Sequence, residues 1–512
     1  MENKEDLQNI LNDINYLFGK VFLYNTKLLR LCNKNDYKPT YQEIFDFYIT
    51  SNAMSLLKNF TFEYVESPGI FLNARCVIEG LALKKAFETG YFNNVNLELL
   101  MEQDAIIEYK EYEKFRDYYH LFLIPEDLKS AYDKSCDFYR NTLSEISEKQ
   151  LNNIINSQIP FACNPKLSFL KIVRDNLGES MATGYSLLSL MIHPTSNEAK
   201  ISCEKIVYLL KIIKIIEVEY ANLPLENDLI EYSNLILSNL AKSFLESIKM
   251  ECDDLEKIIN NFKENFGNNY VSDTFHAICM TIQEMAFDTI FGFNEQVKSK
   301  WKILIEMLSE FFEVYINNGD TDCSYRILQY HTIVAAARVT NMETEKQNAI
   351  SQAYEYYKKK YPNGIGIEEF SHKFETTTGY TINEKGKIKT LTQLVIHFTD
   401  LLTGDNKDSP INYSIKLNYI EAQMLSHANG YLWFANSGAW SDINNIFVLF
   451  NQIISFICTC MSDLFKNLYK DDRQYKYKKI SNLLKHSASH IIDNTNSLYE
   501  LLLKRNATFG EM

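Results

Sequence analysis

The amino-acid sequence predicts an all-α protein made of helical bundles. The 512 residues include only 17 Gly and 9 Pro, whereas β and α/β folds need a turn roughly every ten residues. Apolar residues recur at helical spacing from the first helix onward, as Leu7, Ile10, Leu11 and Ile14 show. Because 46% of the residues are hydrophobic, the chain can bury large cores.

Local signals place several helix ends. Thr40 with Glu43 three residues later forms a capping box and predicts a helix from about Tyr41 to Asn59. Ser67-Pro68-Gly69 predicts the start of an almost wholly apolar helix, which should be central in its bundle. Ser168 and Gly178 bound another predicted helix.

Composition and motifs exclude several function classes. A net charge of −14 disfavours broad nucleic-acid binding, since phosphate contacts need Lys and Arg. The ten Cys are scattered singly without metal-ligand spacing, so we expect no metal, no cofactor and reduced thiols in a cytoplasmic protein. A charged start predicts no signal peptide, and polar residues interrupt the most apolar window, so we expect no membrane contact. P-loop, dinucleotide, nucleophile-elbow and His-Glu-x-x-His motifs do not occur.

The order of elements predicts an internal duplication. Tyr185 precedes His193 by eight residues, and Tyr419 precedes His427 by the same number. Each half also has amphipathic helices, an Arg-bearing apolar helix, a charged Tyr-rich region and a final apolar helix. We therefore predict an N-terminal helical module (1–222), a long helical linker (223–270) and a diverged C-terminal module (271–512).

The first module holds a set of candidate catalytic residues. Arg75 and Glu79 lie four apart on the apolar helix, either as a buried ion pair that fixes helix register or as a pocket-lining pair. Tyr185, Ser189 and His193 share one helical face. If the two faces meet, His193 could move a proton while Glu79 orients it and Arg75 holds a phosphate. The alternative is that His193 only completes its helix before Pro194.

These residues carry a resemblance to known proteins. The first half resembles a prokaryotic family of all-helical domains of unknown function, which has an Arg-x-x-x-Glu helix and a Tyr helix ending in His-Pro. More distantly, it is similar to helical proteins of phage-defence and abortive-infection loci, including the HEPN ribonucleases. The resemblance covers most of residues 41–222 and, less well, 294–468. In the second half Tyr330 stands in place of the Glu, Gln423 in place of the Ser and Ala428 in place of the Pro.

The resemblance implies two alternative functions. The first is a metal-independent, HEPN-like ribonuclease with RNA as substrate; Arg326 and His331 have the spacing of that family's Arg/His motif. Chance alone gives about 0.5 such spacings in a chain of this composition, and residues five apart on one helix point about 140° away from each other. Tyr419 and His427 would belong to a second site. The other function is a non-catalytic sensor or interaction module of a defence or toxin–antitoxin system that binds a phage or host protein, with homo-oligomerisation left open.

Overall fold

The structure is a computed structural model, and it describes the greater part of the first half and selected ranges of the second. The described residues are 2–32, 37–61, 67–92, 94–118, 124, 126–192, 203–220, 222–223, 277–278, 280–281, 283–285, 288, 294–315, 330, 333–334, 337, 342–376, 381–382, 386, 388–389, 391–402 and 410–426. Of the sequence-predicted site residues, His193, Arg326, His331 and His427 lie outside these ranges.

The described part of the first half is helical, with one short 3₁₀ turn at Pro160–Ala162. Its helices are α1 (Glu2–Cys32), α2 (Tyr41–Thr61), α3 (Pro68–Glu88), α4 (Asn94–Glu102), α5 (Asp104–Tyr118), α6 (Glu126–Thr142), α7 (Glu148–Ile155), α8 (Phe169–Leu177), α9 (Glu179–Ile192) and α10 (Cys203–Tyr220).

The described part of the second half is also helical. After helical residues between 277 and 288 come α11 (Asn294–Tyr315), α12 (Glu343–Lys360), α13 (Ile367–Thr376), α14 (Leu391–Leu402) and α15 (Pro410–Leu425). A two-residue antiparallel pair, β1 (Thr381–Ile382) with β2 (Ile388–Lys389), is the only β structure in the ranges that the structure describes. The predicted all-α class is confirmed.

The predicted caps explain where the central helices begin. The Thr40 backbone N–H donates to Glu43 Oε2 at 2.9 Å, and the Glu43 N–H donates to Thr40 Oγ1 at 3.3 Å, which completes the capping box. Ser67 caps α3 by accepting from the Gly69 N–H at 3.2 Å, with Pro68 in the first helical position. Every side chain of α3 except Lys85 and Glu88 is buried, as the apolar sequence predicts.

One hydrophobic core spans both halves. It extends from Ile14 on α1 to Leu425 on α15, while a separate small core around Tyr357 and Phe370 joins α12 to α13. The two halves therefore share buried surface instead of folding around separate centres. Residues 224–276 lie outside the described ranges, so the predicted linker and module boundary stay predictions.

Helix packing repeats between the halves. Helix α3 packs against α8 and α9, which also contact each other; in the same way α11 packs against α14 and α15, which contact each other. Helix α11 in turn contacts α2 and α3, so the two three-helix units meet along these central helices. The two units thus share a packing pattern, while the internal duplication itself stays a prediction.

No helix within the described ranges is both long and apolar enough to cross a membrane.

Candidate functional site

Arg75 and Glu79 form a buried ion pair on α3. Their side chains are 4% and 0% exposed, and Arg75 Nε lies 3.7 Å from Glu79 Oε1. That distance suits an ion pair but is too long for a hydrogen bond, so Arg75 Nε has no hydrogen-bond partner. Each side chain also has a hydrogen-bond partner outside the pair, Tyr185 for Glu79 and the Ser426 carbonyl for Arg75, which reduces the cost of burying the two charges.

Tyr185 on α9 completes the carboxylate side of this pair. Its hydroxyl donates to Glu79 Oε1 at 2.6 Å across a buried contact. Burial, and then the Glu79 charge, raise the pKa of Tyr185 well above its usual range, so the phenol stays protonated and acts as a donor. The structure therefore brings Tyr185 of one helical face to Glu79 of the other, a meeting that the sequence leaves as a condition. We call Arg75, Glu79 and Tyr185 the first polar cluster.

Ser189 makes a different contact from the one its position suggests. Its hydroxyl donates to the Tyr185 carbonyl at 3.0 Å, one helical turn back, and its side chain is only half-buried. Such a bond satisfies the hydroxyl within its own helix. His193 directly follows the last described residue of α9, Ile192, and lies outside the described residues.

Arg75 links the first half to the second. Its Nη2 donates to the backbone carbonyl of Ser426, at the end of α15 and 351 residues along the chain. The Ser426 N–H donates to the Ala422 carbonyl, which places Ser426 at the C-terminal end of α15. Carbonyl groups at such an end have no donor within the helix and accept from other groups, here Arg75. A cation is favourable there because the helix dipole leaves negative charge at its C-terminal end.

A second polar cluster of the same kind lies on α11 and α15. The Tyr419 hydroxyl donates to Glu306 Oε1 at 2.8 Å and accepts from Gln423 Nε2 at 2.7 Å. Lys302, four residues before Glu306, donates from Nζ to Ser426 Oγ at 3.4 Å. Lys302, Glu306 and Tyr419 thus repeat the arrangement of Arg75, Glu79 and Tyr185, and both cations converge on Ser426.

The sequence-based alignment of the halves differs from this finding. It matched Arg75 to Arg326 and placed Tyr330 at the position of Glu79, whereas the carboxylate that contacts Tyr419 is Glu306 on α11. The signal was present in the sequence as Lys302-x-x-x-Glu306 within an apolar helix. A pattern that admits only Arg at the first position excludes it, although Lys also supplies a cation.

A third buried cluster also joins the halves and has no sequence signal. Lys300 Nζ lies 2.5 Å from Glu284 Oε1 and also contacts Asp288, and all three side chains are fully buried. Neutral donors from the first half complete it: Ser55 Oγ donates to Asp288 Oδ1 at 2.8 Å, and the Ser67 hydroxyl donates to Glu284. We call Lys300, Glu284 and Asp288 the lysine cluster.

The buried thiol beside Arg75 is not activated. Cys76 is 1% exposed, and its Sγ lies 3.8 Å from the Ser426 carbonyl. Burial, and then the Glu79 charge, raise the pKa of Cys76 to about 12. A thiol that holds its proton this strongly is a poor nucleophile, so Cys76 acts as a small packing residue.

A cavity within the described residues lies away from all three clusters. It has a volume of about 410 Å³ and runs between α1 and α10. Its lining residues are Ile10, Asp13, Ile14, Tyr16, Leu17, Lys20, Leu210, Ile213, Lys214 and Glu217. Within the described residues, no group of three or more His, Cys, Asp or Glu side chains is arranged to hold a metal ion.

Comparison of the chain with protein-family models, with curated proteins and with solved structures finds no match in any of the three.

Proposed function

We propose that this protein is a non-catalytic helical sensor or interaction protein of a phage-defence or toxin–antitoxin system. The observation that carries the proposal is the Arg75 contact with Ser426: the guanidinium that a ribonuclease would aim at phosphate is 3% exposed and holds the end of α15. In this account the first polar cluster is a structural contact between the halves.

The chemistry of the cluster supports this reading over catalysis. Acid–base catalysis requires a group that can exchange its proton near neutral pH and reach the reacting atom. Tyr185 keeps its proton, and Glu79 is fully buried beneath it. The acidic net charge of −14 also opposes the approach of RNA over a broad surface.

The resemblance of the first half to helical proteins of phage-defence loci supports the biological setting. It rests on Arg75, Glu79, Tyr185, Ser189 and the His-Pro pair at 193–194. In this setting a helical protein without an active site would act by binding a phage or host protein. The ribonuclease reading depends on His193, Arg326, His331 and His427, so substitution of those residues separates the two functions.

Phage plating on bacteria that express the protein tests the proposal. Wild type is compared with an empty vector and with a combined His193→Ala, Arg326→Ala, His331→Ala and His427→Ala variant, at matched levels of folded protein. We expect wild type and the variant to reduce plaque formation equally across a panel of phages. Protection by wild type but not by the variant would assign the function to those four side chains. Absence of protection by both proteins would contradict the proposed role in phage defence.

A further inference from the structure

The lysine cluster contains more acidic side chains than basic ones. Two carboxylates, Glu284 and Asp288, share the single ammonium of Lys300, and all three side chains are 0% exposed. Among the described residues, the other groups that hydrogen-bond to the two carboxylates are neutral hydroxyls and an amide, those of Ser55, Asn59 and Ser67. With every group ionised the cluster would carry one unbalanced negative charge away from water, which is costly.

Glu310 is a second buried carboxyl group without a balancing cation among the described residues, and it lies on α11, the helix that carries Lys300. It is 1% exposed, and within the described part of the chain neither of its carboxyl oxygens has a hydrogen-bond partner. The charged group that acts on it is the carboxylate of Glu306, which lies one turn earlier on α11 and is also negative. Burial, and then the Glu306 charge, raise the pKa of Glu310 to about 8. Burial likewise raises the pKa of both Glu284 and Asp288.

The cations near these acids are already engaged. On α3, Arg75 is shared between Glu79 and the Ser426 carbonyl. On α11, Lys302 lies beside Glu306 and donates to Ser426 Oγ. Glu111 on α5 adds negative charge near Lys302 and Tyr419. The phenols of Tyr185 on α9 and Tyr419 on α15 are neutral hydrogen-bond donors. In the described part of the chain, proton uptake is therefore the way to balance Glu310 and the lysine cluster.

We propose that the contact between the two halves is a proton-dependent latch. The joined form holds one proton on the Glu284–Asp288 pair, which Ser55 of α2 and Ser67 at the start of α3 contact, and one on Glu310 of α11. Loss of the first proton loosens the packing of α11 against α2 and α3, and loss of the second destabilises α11 itself. This inference does not depend on what the protein binds. It makes the exposure of the surfaces between the halves a function of pH.

The direction of the effect follows from the raised pKa values. A carboxyl group whose pKa is higher in the folded state stabilises that state fully below its unfolded value, 4.5 for Glu310 and Glu284, and the contribution is lost as pH rises through the folded pKa. Each group changes the opening equilibrium by up to about tenfold per pH unit inside its window. Opening therefore increases as pH rises from acidic to slightly alkaline values.

Amide hydrogen exchange of the full chain tests the latch. Protection of α11 is measured from pH 5.5 to 8.5 and corrected for the intrinsic pH dependence of exchange. We expect the opening constant of wild type to rise several-fold per pH unit, and Glu310→Gln and Glu284→Gln each to remove part of this slope. Glu343→Gln, on the exposed surface of α12, is the matched control and should retain the full slope.

Two results would overturn the latch. One is a wild-type opening constant of α11 that does not change across this pH range. The other is a full slope in both glutamine variants, because the titrating groups would then lie elsewhere. If a variant fails to fold, the wild-type slope still decides, since its absence alone is sufficient to reject the proposal.

Discussion

Tyr185 donates a 2.6 Å hydrogen bond to Glu79 across 106 residues of chain, inside the core. Tyr185→Phe removes this donor and leaves a buried carboxylate with less support. We expect the free energy of unfolding to fall by about 1–3 kcal/mol in denaturant titration. Tyr91→Phe removes an exposed hydroxyl contact with Asp175 and serves as the control. Equal small effects of the two substitutions would show that the Tyr185 bond contributes nothing.

Arg75→Met should destabilise the protein far more than substitution of an exposed arginine. It leaves Glu79 as an uncompensated buried charge and the Ser426 carbonyl without its donor, a loss of about 3–5 kcal/mol. Arg116→Met, in an exposed pair with Glu113, should change stability by no more than about 0.5 kcal/mol. The double variant Arg75→Met/Glu79→Leu should recover part of the loss. An unchanged unfolding midpoint for Arg75→Met would contradict a structural role.

Lys58 should make stability rise with pH in the alkaline range. Its ammonium donates to Asn15 Oδ1 at 3.1 Å and lies over the Phe18 ring, and burial lowers its pKa from 10.5 to about 8. The folded state therefore binds fewer protons than the unfolded state between pH 8 and 10.5. The Lys58 contribution to the free energy of unfolding should therefore increase by at most roughly 3 kcal/mol over that window, and it should not change with pH below the window.

Comparison of wild type with Lys58→Met measures this effect. The difference in unfolding free energy between the two proteins should depend on pH only above about pH 8. A difference that stays constant from pH 8 to pH 10 would mean that Lys58 keeps its ordinary pKa in the folded protein.

Gly80 should not tolerate a side chain. A Cβ there would lie 2.6 Å from Ile49 Cγ1 and 2.9 Å from Tyr48 Cδ1, where α3 meets α2. We expect Gly80→Ala to lower stability by about 1–3 kcal/mol through overpacking. Gly366→Ala has open space and should be neutral or slightly stabilising. A neutral Gly80→Ala in thermal unfolding would mean that the two helices lie further apart than described.

Local structure could be predicted from the sequence because its causes are local. Thr40 with Glu43, Ser67 with Pro68, and Ser168 with Gly178 mark helix ends where the structure has them, since a cap needs only neighbouring residues. Helical periodicity also placed Arg75 with Glu79, and Tyr185 with Ser189, on common faces, whereas the contact between Tyr185 and Glu79 is visible only in the structure.

Contacts between distant segments could not be predicted in the same way. The Arg75 bond goes to a backbone carbonyl, which every residue has, so nothing in the sequence marks Ser426 as its acceptor. The lysine cluster draws on residues between 55 and 300 with no shared spacing. Lys302 and Glu306 did carry a spacing signal, and it becomes specific only once Tyr419 is seen beside it.

RNA integrity during expression tests the central claim most directly. Wild type and the combined His193→Ala, Arg326→Ala, His331→Ala and His427→Ala variant are expressed in bacteria to equal levels of folded protein, and growth and total RNA are followed. The non-catalytic account predicts intact RNA in both cultures and the same growth curve. RNA fragmentation with wild type that disappears in the variant would contradict it and establish a ribonuclease.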